Sequence, residues 1–262
     1  MLITLKLRMD YKISWVLNTT PLYKIMSLKW FKVMIEEKYN TLLRPASWDD
    51  PYETNCSNSI ITTEQGDVPL DASHWFGQSW SLCEESALMW QTFKKGKEPY
   101  VKIKIDASNL IRGLIEEQDN NLRIAVLEYI RYFKPTTNDY IEKIKDIMEL
   151  HLWPNNFTRR GVALAELYPV YNLLTKRDFF EHEEEVRLLL FDKSSSKEQK
   201  FIKYPIDPIA ISEVVIDPWT SIGHEKFNEI KNELRIKLPR ESTRIRKSEI
   251  FSDNYKFVTK YS

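Results

Sequence analysis

The sequence predicts a mixed α+β fold with a largely antiparallel sheet, rather than a doubly wound sheet. Strand-like and helix-like segments follow one another without a regular β-α-β alternation. The runs Glu183–Phe191 and Phe201–Ile206 are separated by a polar turn, and we expect them to pair as a hairpin. The six glycines are so widely spread that no two lie within ten residues of each other, which excludes glycine-rich dinucleotide and Walker loops.

In the first half of the chain, apolar spacing and capping residues define the elements. Leu28, Phe31 and Met34 recur at helical spacing behind Ser27, a good N-cap. The expected strands are Pro21–Met26, Thr41–Arg44, Trp75–Leu82 and Tyr100–Asp106. The expected helices are Leu28–Tyr39, a segment capped by Ser81 and running through Phe93, and Ala107–Gln118, while Asp50-Pro51-Tyr52-Glu53 resembles a helix start.

The second half has the same mixed character, and the whole chain is expected to form one domain. The run Leu122–Phe133 fits a strand or a helix. The further helices are expected at Tyr140–Trp153, Val162–Phe179 and His224–Lys237. The further strands are expected at Ile211–Ile216 and Arg244–Phe251. Without repeats or a clear linker, 1–262 is predicted to be a single domain, with 54–73 a long loop and 120–175 a mainly helical insertion.

Composition excludes several classes of function. The chain of 262 residues has 38 basic and 38 acidic side chains, so its net charge of zero does not favour binding to nucleic acid. Two cysteines and four scattered histidines do not form a zinc motif, and we expect no metal. Charges interrupt the apolar N-terminus, and no apolar run is long enough for a membrane span, so we expect a cytoplasmic protein without a membrane segment.

The sharpest chemical feature is the run Glu183-Glu184-Glu185-Val186-Arg187. On a strand, Glu183, Glu185 and Arg187 would point to the same side, just before a wholly apolar segment. Partial burial and mutual repulsion raise the pKa of paired carboxylates, which suits catalysis. The alternative is a solvated strand end whose acidic residues simply pair with Arg187.

Two other segments carry polar groups whose role is open. Ser79 and Ser81 share one side of a strand with Trp80 on the other, and Ser81 is also expected to cap the following helix, where anions bind well. The segment from Arg44 to Glu53 concentrates charged and aromatic side chains, including Asp49 and Asp50. Ser79 is also explained as an edge residue, and Ser81, Asp50 and Glu53 as caps. Asp49 and Trp48 are not explained in this way.

Taken in order, these pieces resemble a bacterial domain-of-unknown-function family. Its signature reads YKY, FNDPFE, CFS, MWxxY and WxxExExR. The corresponding segments here are Tyr23-Lys24, Trp48-Asp49-Asp50-Pro51-Tyr52-Glu53, Ser79-Trp80-Ser81, Leu88-Met89-Trp90, and Lys176 with Phe180-x-x-Glu183-x-Glu185-x-Arg187. The resemblance spans roughly residues 21–220. Trp48-Asp49, Trp80 and Phe180 depart from the usual residues of the signature.

The layout of that family is similar to the ADP-ribosyltransferase pattern, which implies a split sheet flanked by helices and NAD as co-substrate. The resemblance implies that Glu185 stabilises the reacting ribose and that Glu183 orients the acceptor. Binding residues are then expected at Tyr23, Lys24, Arg44, Ser79, Trp80, Ser81 and Trp90, with Tyr23 and Trp80 or Trp90 stacking on nicotinamide and Lys24 or Arg44 facing the pyrophosphate. Related proteins often lie among toxin and anti-phage defence genes.

The function expected from this resemblance is cleavage of the nicotinamide–ribose bond of NAD by a toxin or defence effector. The acceptor, whether a macromolecule or water, stays open, as does a protein partner. Two alternatives are a magnesium-dependent nuclease built on Asp49, Asp50, Glu183 and Glu185, and a sensor or partner-binding subunit without enzymatic activity.

Overall fold

The computed structural model describes residues 12–14, 16–48, 50–54, 60–63, 66–69, 71–116, 123–149, 169–220, 224–238 and 243–251. The chain divides into two compact units. Unit 1 comprises Met1–Leu22, Tyr39–Leu82 and Asp106–Ile206. Unit 2 comprises Tyr23–Lys38, Cys83–Ile105 and Asp207–Ser262. The expectation of one domain over 1–262 stays a prediction.

Unit 1 is built on a sheet in which the strand that follows the glutamate-rich run is central. Its strands are β1 Lys12–Ser14, β3 Tyr39–Leu43, β4 Ile60–Thr63, β5 Gly66–Pro69, β6 Trp75–Ser81, β8 Arg123–Tyr129, β9 Arg131–Phe133, β10 Thr175–Arg177, β11 Glu185–Asp192 and β12 Phe201–Pro205. The main sheet runs β1-β8-β11-β6, and β3 pairs with both β6 and β12. All these pairs are antiparallel except β1 with β8.

The described part of unit 1 also contains four helices. They are α2 Pro51–Thr54, α4 Ala107–Glu116, α5 Thr137–Glu149 and α6 Pro169–Leu173, with 3-10 turns at Pro45–Ser47 and Asp178–Glu183. Leu189 and Val126 face the same side as Arg187 and pack in a core that includes Trp75 and α6. On α4, a Cβ at Gly113 would lie 1.8 Å from the carbonyl oxygen of Pro205, so only glycine allows this close approach.

The strands of unit 2 follow one another in the order β2-β7-β13-β14. The strands are β2 Pro21–Ser27, β7 Tyr100–Asp106, β13 Ile211–Ile216 and β14 Arg244–Lys247, and the helices are α1 Leu28–Glu37, α3 Ala87–Phe93 and α7 His224–Lys237, with a 3-10 turn at Pro208–Ala210. Helices α1 and α7 are linked by the Lys32–Glu233 ion pair, with an N–O distance of 2.5 Å. Trp90 on α3 packs against Tyr100 and Val215 of the sheet.

The predicted α+β class with mostly antiparallel pairing is confirmed. The Ser27 cap of α1 is also confirmed, because its side chain accepts a hydrogen bond from the Trp30 N–H. The helix expected to start at Ser81 begins instead at Ala87, capped by Ser86. Ser81 is still part of β6, where it pairs with Glu185, so the sheet rather than a cap determines its conformation.

The expected hairpin of Glu183–Phe191 with Phe201–Ile206 is wrong, because β12 pairs with β3 while β11 pairs with β6 and β8. The other differences lie where local patterns are weak. Within the stretch expected to be a loop, 54–73, β4 and β5 pair as a hairpin. Within the expected helical insertion, 120–175, the ambiguous run forms β8 and β9, whose β-branched and aromatic residues suit strands. In the expected helix Val162–Phe179, residues 162–168 lie outside the described part, and the rest forms α6, β10 and the start of a 3-10 turn.

Candidate active site

A tight turn at Glu184 places the two glutamates of interest at the entry of β11. Glu184 adopts a left-handed backbone conformation with φ 43°, which is uncommon outside glycine. The preceding 3-10 turn ends at Glu183, and the strand starts at Glu185. The turn is held by the Leu82 N–H, which donates to the Glu184 carbonyl at 3.0 Å. Glu183 is therefore not on the strand, contrary to the sequence prediction.

The Glu185 carboxylate is buried and accepts hydrogen bonds from three side chains. Ser79 donates from the neighbouring strand β6. The Arg187 Nε donates to Oε1 at 2.7 Å, and the Lys176 Nζ donates to Oε2 at 3.0 Å. Only 3% of Glu185 is exposed. The backbone N–H of Glu185 donates to the Tyr132 hydroxyl at 2.8 Å, which fixes the start of the strand.

Lys176 joins the carboxylates into one cluster. Its Nζ lies 2.7 Å from the Glu183 Oε2 and 3.9 Å from the Glu53 Oε1, in addition to its bond with Glu185. The ammonium also lies 4.8 Å from the centre of the Phe180 ring, a cation–π distance. Because β10 carries Lys176 between these groups, Glu183 and Glu185 share one cation although they belong to different elements.

Arg187 is the second cation of the cluster and is completely buried. Beyond Glu185, its guanidinium donates to the Glu53 Oε1 at 2.8 Å and to the Leu173 carbonyl oxygen at 2.6 Å. It also lies 4.5 Å from the centre of the Trp48 ring. The planar guanidinium suits this arrangement because it presents several donors in fixed directions. The strand end is therefore buried and not solvated, although Glu185 does pair with Arg187 as that alternative expected.

Burial and charge shift the pKa values of the cluster in opposite directions. Burial raises the pKa of Glu183, and the nearby Lys176 only partly offsets this effect. Burial also acts to raise the pKa of Glu185, but Arg187 and Lys176 outweigh it and the net shift is downward. For Lys176, burial lowers the pKa while the surrounding carboxylates raise it, and the carboxylates prevail. Glu185 is therefore held ionised, and Glu183 is the group closer to taking up a proton.

The charge balance leaves the cluster able to stabilise a further positive charge. Glu53, Glu183 and Glu185 face Lys176 and Arg187, so one negative charge is in excess when all five side chains are ionised. In a buried setting, such a charge interacts more strongly with a developing cation than it would in water. The arrangement is therefore suited to reactions that pass through a positively charged transition state.

Of the predicted polar residues, Ser79 and Ser81 both lie beside the glutamates. Ser79 contacts the Glu185 carboxylate directly, whereas the Ser81 hydroxyl donates to the Glu183 backbone carbonyl at 2.7 Å. Trp80 alternates to the opposite side of the sheet, and its indole N–H donates to the Gln78 side chain at 2.9 Å. Stacking of Trp80 on a ligand bound at Glu185 is therefore not supported by its position.

Arg44 has a different environment from the one expected for a pyrophosphate ligand. Its guanidinium donates to the backbone carbonyls of Gln199 and Ser196, each at 2.7 Å, and to that of Ser73. It lies 4.8 Å from the Phe76 ring centre. These bonds give Arg44 a structural role in joining three chain segments, and its contact with a pyrophosphate stays a prediction.

The other predicted binding residues, Tyr23, Lys24 and Trp90, belong to unit 2. Tyr23 and Trp90 are buried, with 4% and 0% of their surfaces exposed. Burial raises the pKa of the Tyr23 phenol to about 12, with the carboxylates of Glu84 and Glu213 adding to the effect. Their expected contacts with NAD stay predictions.

Sequence reasoning missed the roles of Glu53 and Tyr132 and gave Lys176 no role. Glu53 fits a local helix-start pattern, so the sequence gives no reason to expect its buried hydrogen bond with Arg187. Lys176 lies only seven residues from Glu183, but that spacing identifies a partner only once the intervening 3-10 turn is known. For Tyr132, no local pattern indicates that its hydroxyl meets the backbone of Glu185.

The acidic set proposed for magnesium is not assembled within the described part of the chain. Asp49 lies outside the described residues. Asp50 pairs with Arg177 at 3.0 Å, and its side chain accepts from the Tyr52 N–H. In the described residues, no group of three histidine, cysteine, aspartate or glutamate side chains is arranged to hold a metal ion. At Glu183 and Glu185, a metal ion would have to displace the Lys176 ammonium.

The described helices include none with the length and apolar character needed to cross a bilayer.

Comparisons with known proteins give a weak structural likeness. No protein-family model and no curated protein matches the chain. DarT from Thermus sp. 2.9 in complex with NAD+ is 10% identical with a TM-score of 0.38, over 89% of this chain and 98% of that one. The same protein in complex with ADP-ribosylated ssDNA is 10% identical with a TM-score of 0.40, over 89% and 96% of the two chains. Likeness at this level supplies no argument about function, which has to be argued from the site itself.

Proposed function

We propose that the protein cleaves the nicotinamide–ribose bond of NAD, as an ADP-ribosyltransferase or an NAD glycohydrolase, with Glu185 as its central residue. The observation that carries the proposal is the buried Glu185 carboxylate, fixed beside Ser79 by Arg187 and Lys176. The resemblance of the motifs around Ser79 and Glu185 to the ADP-ribosyltransferase pattern supports the same assignment.

The chemistry of this bond suits the cluster. Departure of nicotinamide leaves positive charge on the ribose, as in glycoside hydrolysis, and nicotinamide leaves without a strong general acid. A carboxylate near the ribose stabilises that charge. Ser79 and Arg187 contact Oε1 of Glu185, whereas Lys176 alone bonds to Oε2, so Oε2 is the oxygen that can accept from a ribose hydroxyl. The surrounding cations keep it ionised, as this role requires.

Preorganisation explains why the cations lie so close to the glutamate. Arg187 and Lys176 reduce the net charge, yet they hold the Glu185 carboxylate in one orientation before the substrate binds. A fixed group needs no reorganisation when charge develops, which is the main source of electrostatic catalysis. Their placement on β11 and β10 gives this orientation a rigid support.

We assign Glu183 to the acceptor. Burial raises its pKa above the ordinary value, which makes it a better proton acceptor for an attacking nucleophile than an ordinary exposed carboxylate. The acceptor is either water or a macromolecule, and the two differ in where the ADP-ribose label is found after the reaction. Action as a toxin or anti-phage defence effector is part of the proposal and is supported by the family resemblance alone.

A labelled-NAD assay tests the proposal. Purified protein is incubated with NAD labelled in the adenosine half, with and without cell extract, and nicotinamide release and the position of the label are measured. Glu185→Gln is expected to lower turnover per folded molecule by about a hundredfold to a thousandfold. The matched control is Glu184→Gln, because Glu184 is the exposed neighbour and should retain turnover. Equal turnover in the two variants would contradict the assignment.

A further inference from the structure

The Tyr132 hydroxyl takes the place of a backbone acceptor at the start of β11. The Ile130 N–H donates to the Glu185 carbonyl at 3.0 Å, as in an antiparallel pair. In a regular ladder, the Ile130 carbonyl would accept from the Glu185 N–H in return. That N–H instead donates to the Tyr132 hydroxyl at 2.8 Å. The ladder departs from regularity here because the chain leaves β8, which pairs with β11, and enters β9, which pairs with β10. Both backbone groups of Glu185 are therefore held by residues 130 and 132.

Tyr132 also connects Glu185 with Lys176. On β9, Tyr132 is paired with Lys176 of β10 in the parallel register. The side chain of the same tyrosine reaches the backbone of Glu185. The Lys176 ammonium and the Glu185 carboxylate are themselves joined by a bond of 3.0 Å. One residue therefore fixes the backbone at both ends of this bond, and a shift of Tyr132 would move the lysine relative to the glutamate.

The ring of Tyr132 is anchored, so its hydroxyl is a rigid support. The side chain packs against the core cluster that contains Val126 and Leu189. Burial raises the pKa of the phenol, and the nearby carboxylates of Glu185 and Glu183 add to this effect. The hydroxyl is therefore un-ionised at neutral pH, and it accepts from the backbone N–H without adding a charge to the cluster.

We propose that Tyr132 is a positioning residue for the reaction at Glu185. This inference rests on the proposed function, in which the Glu185 carboxylate has to lie at a fixed place beside the ribose. A side chain is aimed from its own backbone, and catalytic groups have to be held within about 0.5 Å of the productive geometry. Misplacement of a reacting group by about 1 Å can lower a rate by about a hundredfold. Tyr132 acts on the reaction through Glu185 and needs no contact with the substrate.

The experiment removes the hydroxyl alone. Tyr132→Phe keeps the ring in the core and takes away the acceptor of the Glu185 N–H. Single-turnover nicotinamide release per folded molecule is expected to slow by about tenfold to a hundredfold, while the equilibrium affinity for NAD changes by less than about threefold. The matched control is Tyr129→Phe, which removes a hydroxyl from the half-buried tyrosine at the end of β8 and should leave both values as in wild type.

A double-mutant cycle separates positioning from a merely structural effect. If Tyr132 acts through the Glu185 carboxylate, adding Tyr132→Phe to Glu185→Gln should slow nicotinamide release by less than about threefold further. A general loss of packing would instead slow release by the same factor in both backgrounds. Equal factors in the two backgrounds, or a wild-type rate in Tyr132→Phe, would overturn the proposal.

Amide hydrogen exchange gives a readout that does not depend on turnover. The Glu185 N–H is expected to exchange slowly in wild type and about tenfold or more faster in Tyr132→Phe, because the variant lacks its acceptor. If Tyr132→Phe does not fold, the wild-type exchange rate decides the question. Slow exchange of the Glu185 N–H then supports the proposal, and exchange as fast as that of an unbonded surface amide overturns it.

Failure of the proposed function is recognised separately. Wild type would then release no nicotinamide from NAD, and the positioning role would be overturned together with the reaction it serves. Nicotinamide release by wild type that Tyr132→Phe leaves unchanged would overturn the positioning role alone.

Discussion

Replacing Arg187 by methionine tests how strongly the glutamate cluster depends on its buried guanidinium. In this variant Glu53 loses its bond of 2.8 Å, and the nearest remaining cation is the Lys176 Nζ at 3.9 Å. Glu185 keeps Lys176 and Ser79 but loses its bond of 2.7 Å to Arg187. Methionine fills most of the volume, so the main effect is electrostatic.

Removing one partner of a buried ion pair costs about 3–5 kcal/mol, because the remaining charge stays desolvated. For a chain of this size, 1 kcal/mol corresponds to roughly 2–4 °C in melting temperature, so Arg187→Met should melt about 6–20 °C below wild type. Thermal and urea unfolding at neutral pH measure the change. Adding Glu53→Gln to the variant removes the uncompensated charge and should recover part of the loss.

The matched control is Arg112→Met, at an exposed position on α4, which should change stability by less than about 0.5 kcal/mol. If Arg187→Met behaves like Arg112→Met, the buried network does not stabilise the fold as argued. If Glu53→Gln deepens the loss instead of reducing it, the attraction between Glu53 and Arg187 is not its source.

Three further predictions concern pH, packing and metals. Burial raises the folded-state pKa of Glu183 above the ordinary 4.5, so ionising this group destabilises the folded protein. The free energy of unfolding of wild type, relative to that of Glu183→Gln, should therefore fall as the pH rises from about 4.5. Urea titrations at several pH values from about 3.5 to 7 measure this difference. At Glu185, the neighbouring cations outweigh burial and lower the pKa. The ionised carboxylate therefore stabilises the folded protein above pH 4.5, and this stabilisation should be lost as the pH falls below that value. Stabilisation by Glu185 that is lost as the pH rises would refute the order of the two pKa values. Gly113→Ala should lower the free energy of unfolding by about 3 kcal/mol or more, since its Cβ would meet the Pro205 carbonyl oxygen at 1.8 Å. A urea midpoint equal to that of wild type would refute the close approach. Nicotinamide release should persist in EDTA, because the Lys176 ammonium already lies where a metal ion would sit between the two glutamates. Loss of nicotinamide release in EDTA would favour the magnesium alternative.

The elements that the sequence predicts best are those with a strong local pattern. Helix α1 starts where Ser27 caps it, although it ends at Glu37 because Lys38 adopts a left-handed conformation. Strand β6, expected at Trp75–Leu82, is found at Trp75–Ser81. Strand β11 is also found, but its start shifts to Glu185 because the turn at Glu184 interrupts the run.

The candidate site is only partly visible in the sequence. Glu185, Ser79 and Arg187 are predictable because alternation on neighbouring strands places them on one side of the sheet. Lys176 and Glu53 are not, since each reaches the cluster through tertiary packing that no local spacing encodes. Local rules instead explain Glu53 as a helix-start residue. Buried ionic networks join distant segments, so a single sequence does not reveal which of its charged residues meet.

The central claim is that Glu185 acts on the transition state rather than on substrate binding. The most direct measurement is single-turnover nicotinamide release in Glu185→Gln, together with the equilibrium affinity of the same protein for NAD at a temperature where it is folded. We predict a rate about a hundredfold to a thousandfold below wild type with nearly unchanged affinity. An unchanged rate, or a loss explained wholly by weaker NAD binding, would contradict the account.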